Sequence, residues 1–450
     1  MPASIIDSSI LGNLFSTEAM RAIFSDETRT AKYLEVEAAL ARVQGRLGLI
    51  PAAAAAEIER NCRIDRIDLE RLRQQTERAG SPVIGLVQQL VELCVDGQGE
   101  YCHWGATTQD ITDTATVLQL REALDLVEGD LRGLSASLAD LARRHRDTPV
   151  IGRSNLQQAV PVTFGYKMAG LLSAVERHRR RLDELRPRLL VGQFAGAAGT
   201  LASLPEGGLE TQRLLMVELG LGQPDIAWHT QRDAIAEVGC FLGLVGGTLG
   251  KFATDVKLMM QTEVAEVYEP FAHGRGSSST MPQKRNPVSC IYIHAAVAAA
   301  RPQVTALLEA VVAEHERSAG PWQIEWAALP QICCLMAGAL AHARFLAAGL
   351  EVDVPRMRAN LDLTHGLVVS EAVMMGLAPH LGRERAHHLV YDLCRTAIAG
   401  GRPLVELLAE TPEVADHLDR PALDRLCDPA NYLGLAGAMV DRVLARLADC

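Results

Sequence analysis

One stretch limits the architecture more than any other. Residues 110–146, DITDTATVLQLREALDLVEGDLRGLSASLADLARRHR, place an apolar residue every three or four positions, with no proline and only Gly129 and Gly133 to soften the pattern. A helix that exceeds the ordinary globular length must bury its apolar stripe against partners of similar length. The same period recurs over 162–190, 233–267, 287–315 and 325–350, separated by polar or Gly-rich breaks. These five segments predict one extended five-helix bundle. Alternating strand patterns are scarce, so the chain is predicted to be all-α. Shorter helices fill the N-terminal part, where the 28–50 pattern stops at Gly48 and Pro51. GLEVDVPRMRANL marks the change to a smaller C-terminal helical unit with turns at Gly382, Gly400 and Pro421. The division expected is 1–110, 111–350 and 351–450. IHAAVAAARPQVTALLEAVVAEHE and ICCLMAGALAHARFLAAGL are apolar on nearly every face, which predicts burial between subunits of a homo-oligomer.

Charge and composition remove several classes of function. The net charge is −11, and no cluster of Lys and Arg interleaves with aromatics, which argues against a nucleic-acid surface. The first residues lack a basic leader, and no apolar run approaches the ~20 residues of a membrane span, so neither export nor membrane insertion is expected. Ten cysteines without a CxxC pair suit reduced thiols in the cytoplasm. His387 and His388 are the one adjacent histidine pair. Glu384 and Asp392 share a helix face with His388, but nothing completes a ligand set, and no metal or cofactor is expected.

The tract GRGSSSTMPQKRNP, 274–287, is too polar for a core and too particular for a linker. Its hydroxyl run alone would read as a flexible connection. Lys284, Arg285 and Asn286, however, stand just before a helix led by Pro287. Their donors and the helix's unpaired amides could converge on a carboxylate. A mobile serine beside an anion pocket suggests chemistry on an acid.

SSTMPQKRNP closely resembles the GSSxMPxKxNP signature of the fumarase/aspartase superfamily, and further motifs follow in the family's order. HWGATTQDITDT, 103–114, looks like its first substrate loop, which implies that Thr107, Thr108 and Gln109 hold a carboxylate; alone, it reads equally as a helix N-cap with Asp110 or Thr112 capping. GRSNLQQAVPVTFG, 152–165, is similar to the second region and implies substrate contacts from Arg153 and Gln157; alone, it is an interhelical loop. The resemblance further implies a homotetramer whose sites draw on three subunits, with a loop serine as proton carrier. That role falls on Ser278, flanked by Ser279 and assisted by Lys284 and Asn286. A serine needs such help, since an ammonium, helix-terminal amides and excluded water stabilise its alkoxide. In family context Arg317 of EHERS is an anion contact at the end of the fourth long helix, and His229 of WHTQRD is a catalytic candidate at the start of the third. Residues 192–200, GQFAGAAGT, follow a helix rather than a strand and read as a close-packed turn bordering the site.

Two departures narrow the branch. Asn155 stands where fumarases, aspartases and the argininosuccinate and adenylosuccinate lyases carry a histidine, and the segment 79–87 lacks the further histidine of adenylosuccinate lyases. The branch that also lacks both is the bacterial 3-carboxy-cis,cis-muconate cycloisomerases, similar through YCHWGATTQD, LMMQTEVAEVYEP and NLDLTHGLVVSEAVM. The resemblance implies a cofactor-free cycloisomerase of the β-ketoadipate pathway acting on a small polycarboxylate. Ser154-Asn155 replaces that branch's usual Thr-Trp, and Ser277 replaces the signature's leading Gly. The alternatives are a fumarate-releasing C–N or C–O lyase and a non-catalytic crystallin-like oligomer.

Overall fold

A computed structural model describes residues 4–270, 274–276 and 280–447. It is helical apart from short strands. The five long helices are Thr108–Arg144, Phe164–Leu189, Asp233–Met259, Val288–Glu309 and Pro321–Ala348. The third and fourth stop short of the sequence-predicted ends at 267 and 315. The residues beyond them form a two-residue strand, Val267–Tyr268, and an irregular segment in which His315 takes a φ of 50°.

Tertiary contacts group the chain into two units. The first comprises 1–131, 178–249 and 292–341; the second comprises 132–177, 250–291 and 342–450. Each long helix begins in one and ends in the other.

In the first unit the third helix packs closely on the fourth and fifth through small residues. A Cβ on Gly239 would come within 2.6 Å of Leu307, one on Gly243 within 3.0 Å of Val304, and one on Gly246 within 3.2 Å of Met336. A separate apolar core joins Leu34, Leu40, Leu86, Leu90, Leu118 and Phe194, binding the shorter N-terminal helices to the first long one. In the second unit Val373, Leu377, Leu404, Leu408 and Leu423 form the core of the C-terminal helices.

One expectation changes. The 152–165 region is an antiparallel hairpin, β1 (Pro149–Ser154) against β2 (Gln157–Thr163), rather than a loop. Its two-residue turn is Asn155-Leu156, with φ of 52° and 65°. Positive φ at both central positions gives the twist that hairpins favour, and Asn tolerates it well. The helices Asp233–Met259 and Pro321–Ala348 are long and apolar enough to cross a membrane by length and composition alone. Of their most apolar windows, 61% and 67% are buried within the fold. Cys333 and Cys334 lie in the core, and the described cysteines are free thiols.

Candidate active site

In the first unit the site grows from the start of the first long helix. The helix begins at Thr108, so Thr107 is the residue before it, and the Asp110 carboxylate reaches back to accept the Thr107 amide at 3.0 Å. That is half of a capping box. Asp110 also accepts the Ala195 and Gly196 amides, at 3.1 and 2.9 Å, and faces His229 Nε2 at 2.8 Å. The 192–200 turn therefore supplies two donors to a fully buried carboxylate. With three backbone N–H groups already on Asp110, the His229 Nε2 facing it is placed to be the ring's N–H donor, which turns Nδ1 away from the carboxylate. His229 is buried in the loop before the third helix, and its Nδ1 makes no hydrogen bond to a described residue.

The Thr107 hydroxyl, free of capping duty, accepts a hydrogen bond from Arg317 at 3.0 Å, 210 residues away. Arg317 lies in the loop between the fourth and fifth helices, since the fourth ends at Glu309. It forms no ion pair with a described residue. Burial makes its charge harder to hold, against the attraction of Asp110 and Asp113. A half-buried guanidinium without a carboxylate of its own is suited to an anionic ligand. Thr108 sits beside it in the first turn, half-buried. Gln109 is buried, and its amide donates to Asp113 at 3.0 Å and to the His229 carbonyl at 2.9 Å. Those donors brace the site from behind, which differs from the carboxylate-holding role expected of them.

Behind Gln109 lies an internal ion network. Arg232, 1% exposed, is held by Asp113 at 2.8 Å and by Glu325 at 2.8 Å, and the Trp322 indole donates to Asp113 at 3.1 Å.

The second unit carries the other candidates, and two of their three cations, Arg153 and Arg285, are already paired with carboxylates. Arg153 makes a two-pronged pair with Glu266 at 2.9 and 2.6 Å, and Asn360 donates to the same carboxylate at 2.9 Å. Glu266 is fully buried, so the Arg153 guanidinium is committed to a protein carboxylate instead of to substrate. Gln157 is exposed at the start of β2.

The amides expected to meet a substrate anion are likewise occupied. Ser289 and Cys290, at the start of the fourth helix, donate to the buried Glu269 carboxylate at 2.9 Å each. Arg285 pairs with Glu351 and lies over the Tyr268 ring. Asn286 donates its backbone and side-chain N–H groups to the Gly276 carbonyl, at 3.1 and 3.0 Å, pinching together the two ends of the signature loop. Gly276 is required there: its φ is 69°, and a Cβ would lie 2.8 Å from the Asn286 carbonyl. Lys284 is exposed and makes no ion pair with a described residue. Ser277, Ser278 and Ser279 lie outside the described residues.

Comparison with known proteins agrees with this arrangement of motifs. Residues 15–300 match the family model described as "Lyase", and residues 366–443 match "Adenylosuccinate lyase C-terminus". The chain belongs to the fumarate lyase superfamily. The chain is 55% identical to trans-aconitate decarboxylase 1 of Mycosarcoma maydis, over 97% of its own length and 88% of the relative. It is 53% identical to the 3-carboxy-cis,cis-muconate cycloisomerase of Pseudomonas aeruginosa, over 96% and 95%. The crystal structure of 3-carboxy-cis,cis-muconate lactonizing enzyme from Pseudomonas putida superposes with a TM-score of 0.93 at 48% identity, covering 97% of this chain and 98% of that one. Enzymes of this superfamily act on small carboxylate substrates.

Sequence reasoning missed Asp110 and Glu266 as the carboxylates that organise the two units. Asp110 carried a signal, three residues into a helix after a threonine, but that spacing predicts a cap and not the amides and imidazole that also converge on it.

Proposed function

We propose that this protein is a cofactor-free cycloisomerase that interconverts 3-carboxy-cis,cis-muconate and 4-carboxymuconolactone. In ring closure one substrate carboxylate oxygen adds across a double bond, and the carbon beside another carboxylate takes up a proton. In reverse, that proton leaves first, giving a doubly charged aci-carboxylate, and the ring oxygen departs from the neighbouring carbon. Binding energy is best placed on the dianion.

Ser278 carries the proton, Lys284 offsets the growing charge, and Ser279 and Asn286 bind the carboxylate beside it. Arg317 and Thr107 bind a second carboxylate with Thr108, and Gln157 is a further substrate contact. His229 relays protons through Nδ1 while Asp110 fixes its tautomer. The single observation that best supports this reading is the Thr107–Arg317 pair: a half-buried guanidinium, poised on a hydroxyl, that lacks the carboxylate a polycarboxylate substrate brings.

A second reading has its own support in the 55% identity to trans-aconitate decarboxylase 1. Loss of CO2 from an unsaturated tricarboxylate, with protonation at carbon, would use the same anion pocket and proton carrier. Supplying purified enzyme with each compound separates the two. Loss of the muconate's ultraviolet absorbance carries the first reading, and CO2 release from trans-aconitate with the diene untouched replaces it with the second. Ser278→Ala is expected to lower kcat far more than it raises KM, and a mutant of equal turnover removes the serine role. Fumarate release from substituted succinates would favour the C–N or C–O lyase alternative.

The active form on this reading is a cytoplasmic homotetramer with sites shared between subunits, built on the three-part division at 110 and 350. Leu244 and Leu308, about half exposed on the third and fourth helices, are the kind of surface such an assembly covers. A monomer in light scattering would sink that assembly.

A further inference from the structure

A cavity of about 490 Å³ lies within the first unit, walled by the helix Asp26–Arg46, the helix Leu69–Ala79 and the starts of the first and fifth long helices. None of the residues assigned to the reaction lines it. Its apolar wall is aromatic: Trp322 and Trp326 meet edge to face at 4.9 Å between centroids, with Phe24, Leu72 and Leu329 beside them. Its charges are lopsided. Arg73 pairs with both Glu70 and Glu77, which leaves one carboxylate charge over, and Glu325 is held by Arg232. Asp26 and Glu27 against Arg29 leave another, an excess of two negative charges.

Two buried residues also open their hydroxyls onto this space. Thr30 is 5% exposed and Tyr33 6%, both line the cavity, and neither side chain hydrogen-bonds to a described residue. Hydroxyls that open onto a cavity and bond no described protein group are available to a ligand that enters it. The Tyr33 phenol is pushed up to about 12, chiefly by burial, with Arg29 pulling it down and Asp26 and Asp113 raising it. It is therefore a neutral hydroxyl that can accept as well as donate a hydrogen bond. Electron-rich indole faces beside surplus carboxylates favour a cation and repel the polyanions that the reaction site takes.

We propose that this cavity is a second ligand site, specific for a small organic ammonium ion with an apolar body. The ammonium would lie near Asp26, Glu27 and the Thr30 and Tyr33 hydroxyls, and the body against Trp322 and Trp326.

Isothermal titration of the full-length protein with benzylammonium, benzyl alcohol and benzoate tests this. Saturable binding of benzylammonium is expected, at least tenfold tighter than benzyl alcohol, with benzoate weakest. Asp26→Asn combined with Glu27→Gln alters only exposed side chains and should weaken benzylammonium about tenfold while leaving turnover unchanged. Trp326→Ala should weaken all binding at this site. Equal or tighter binding of benzoate, absence of saturable benzylammonium binding, or affinity unmoved by both variants would overturn the proposal.

Discussion

Arg317 and Arg153 are both arginines in family motifs, and the structure treats them oppositely. Arg153 ends on Glu266, a carboxylate with no access to water, and Asn360 completes its shell. Arg317 ends on a hydroxyl, a neutral acceptor, half in solvent. The first charge has been neutralised by folding, while the second still lacks a counter-ion. An arginine in a motif is thus a ligand-binding residue only if the fold has not already given it a carboxylate.

The comparison breaks most sharply at Arg153. Arg153→Ala leaves Glu266 buried without its cation, which costs about 3–5 kcal/mol of stability. A large drop in denaturation midpoint is expected, and an unchanged midpoint with raised KM would move Arg153 back to substrate binding. Arg317→Ala should do the reverse. Losing charge-assisted hydrogen bonds to a substrate carboxylate costs about 1.5–3 kcal/mol, a roughly 10- to 100-fold fall in kcat/KM, while the midpoint stays put.

A smaller effect tests the hairpin that carries Arg153. Leu156 holds a φ of 65° and is 82% exposed, so Leu156→Gly relieves backbone strain and removes little packing. A stabilisation of about 0.5–1 kcal/mol is expected in chemical denaturation. A net loss would mean that the tip is buried against another surface in the assembled protein.

The smallest effect sharpens the first unit. Burial disfavours the charged His103 ring, but the Glu37 carboxylate at 2.6 Å outweighs it and raises the pKa above 6.5. A raised histidine pKa stabilises the fold at low pH, and that contribution fades as pH climbs from about 6.5 through the raised value. His103→Gln should therefore flatten the decline in melting temperature between pH 6 and 9. A decline of the same slope in the mutant would place its origin elsewhere.

Much of the fold was legible because helix periodicity is local: each long segment announced its apolar stripe, and glycine or proline marked several ends. The hairpin at 149–163 was hidden, since its β1 strand carries a register irregularity between Ile151 and Arg153 and neither strand alternates cleanly. The signature tract pointed to Lys284 and Asn286, but the main use of Asn286, tying Gly276 to the helix start, needed the loop closed on itself.

The sequence by itself determined the helical class, the superfamily and the chemical character of the site, because period and motif spacing are properties of neighbouring residues. Tertiary structure alone decided which charges are spent. Thr107 finds Arg317 across 210 residues, and Arg153 finds Glu266 across 113. Whether a cation meets a hydroxyl or a buried carboxylate depends on which distant segment folding brings within about 3 Å, and no local pattern encodes that choice.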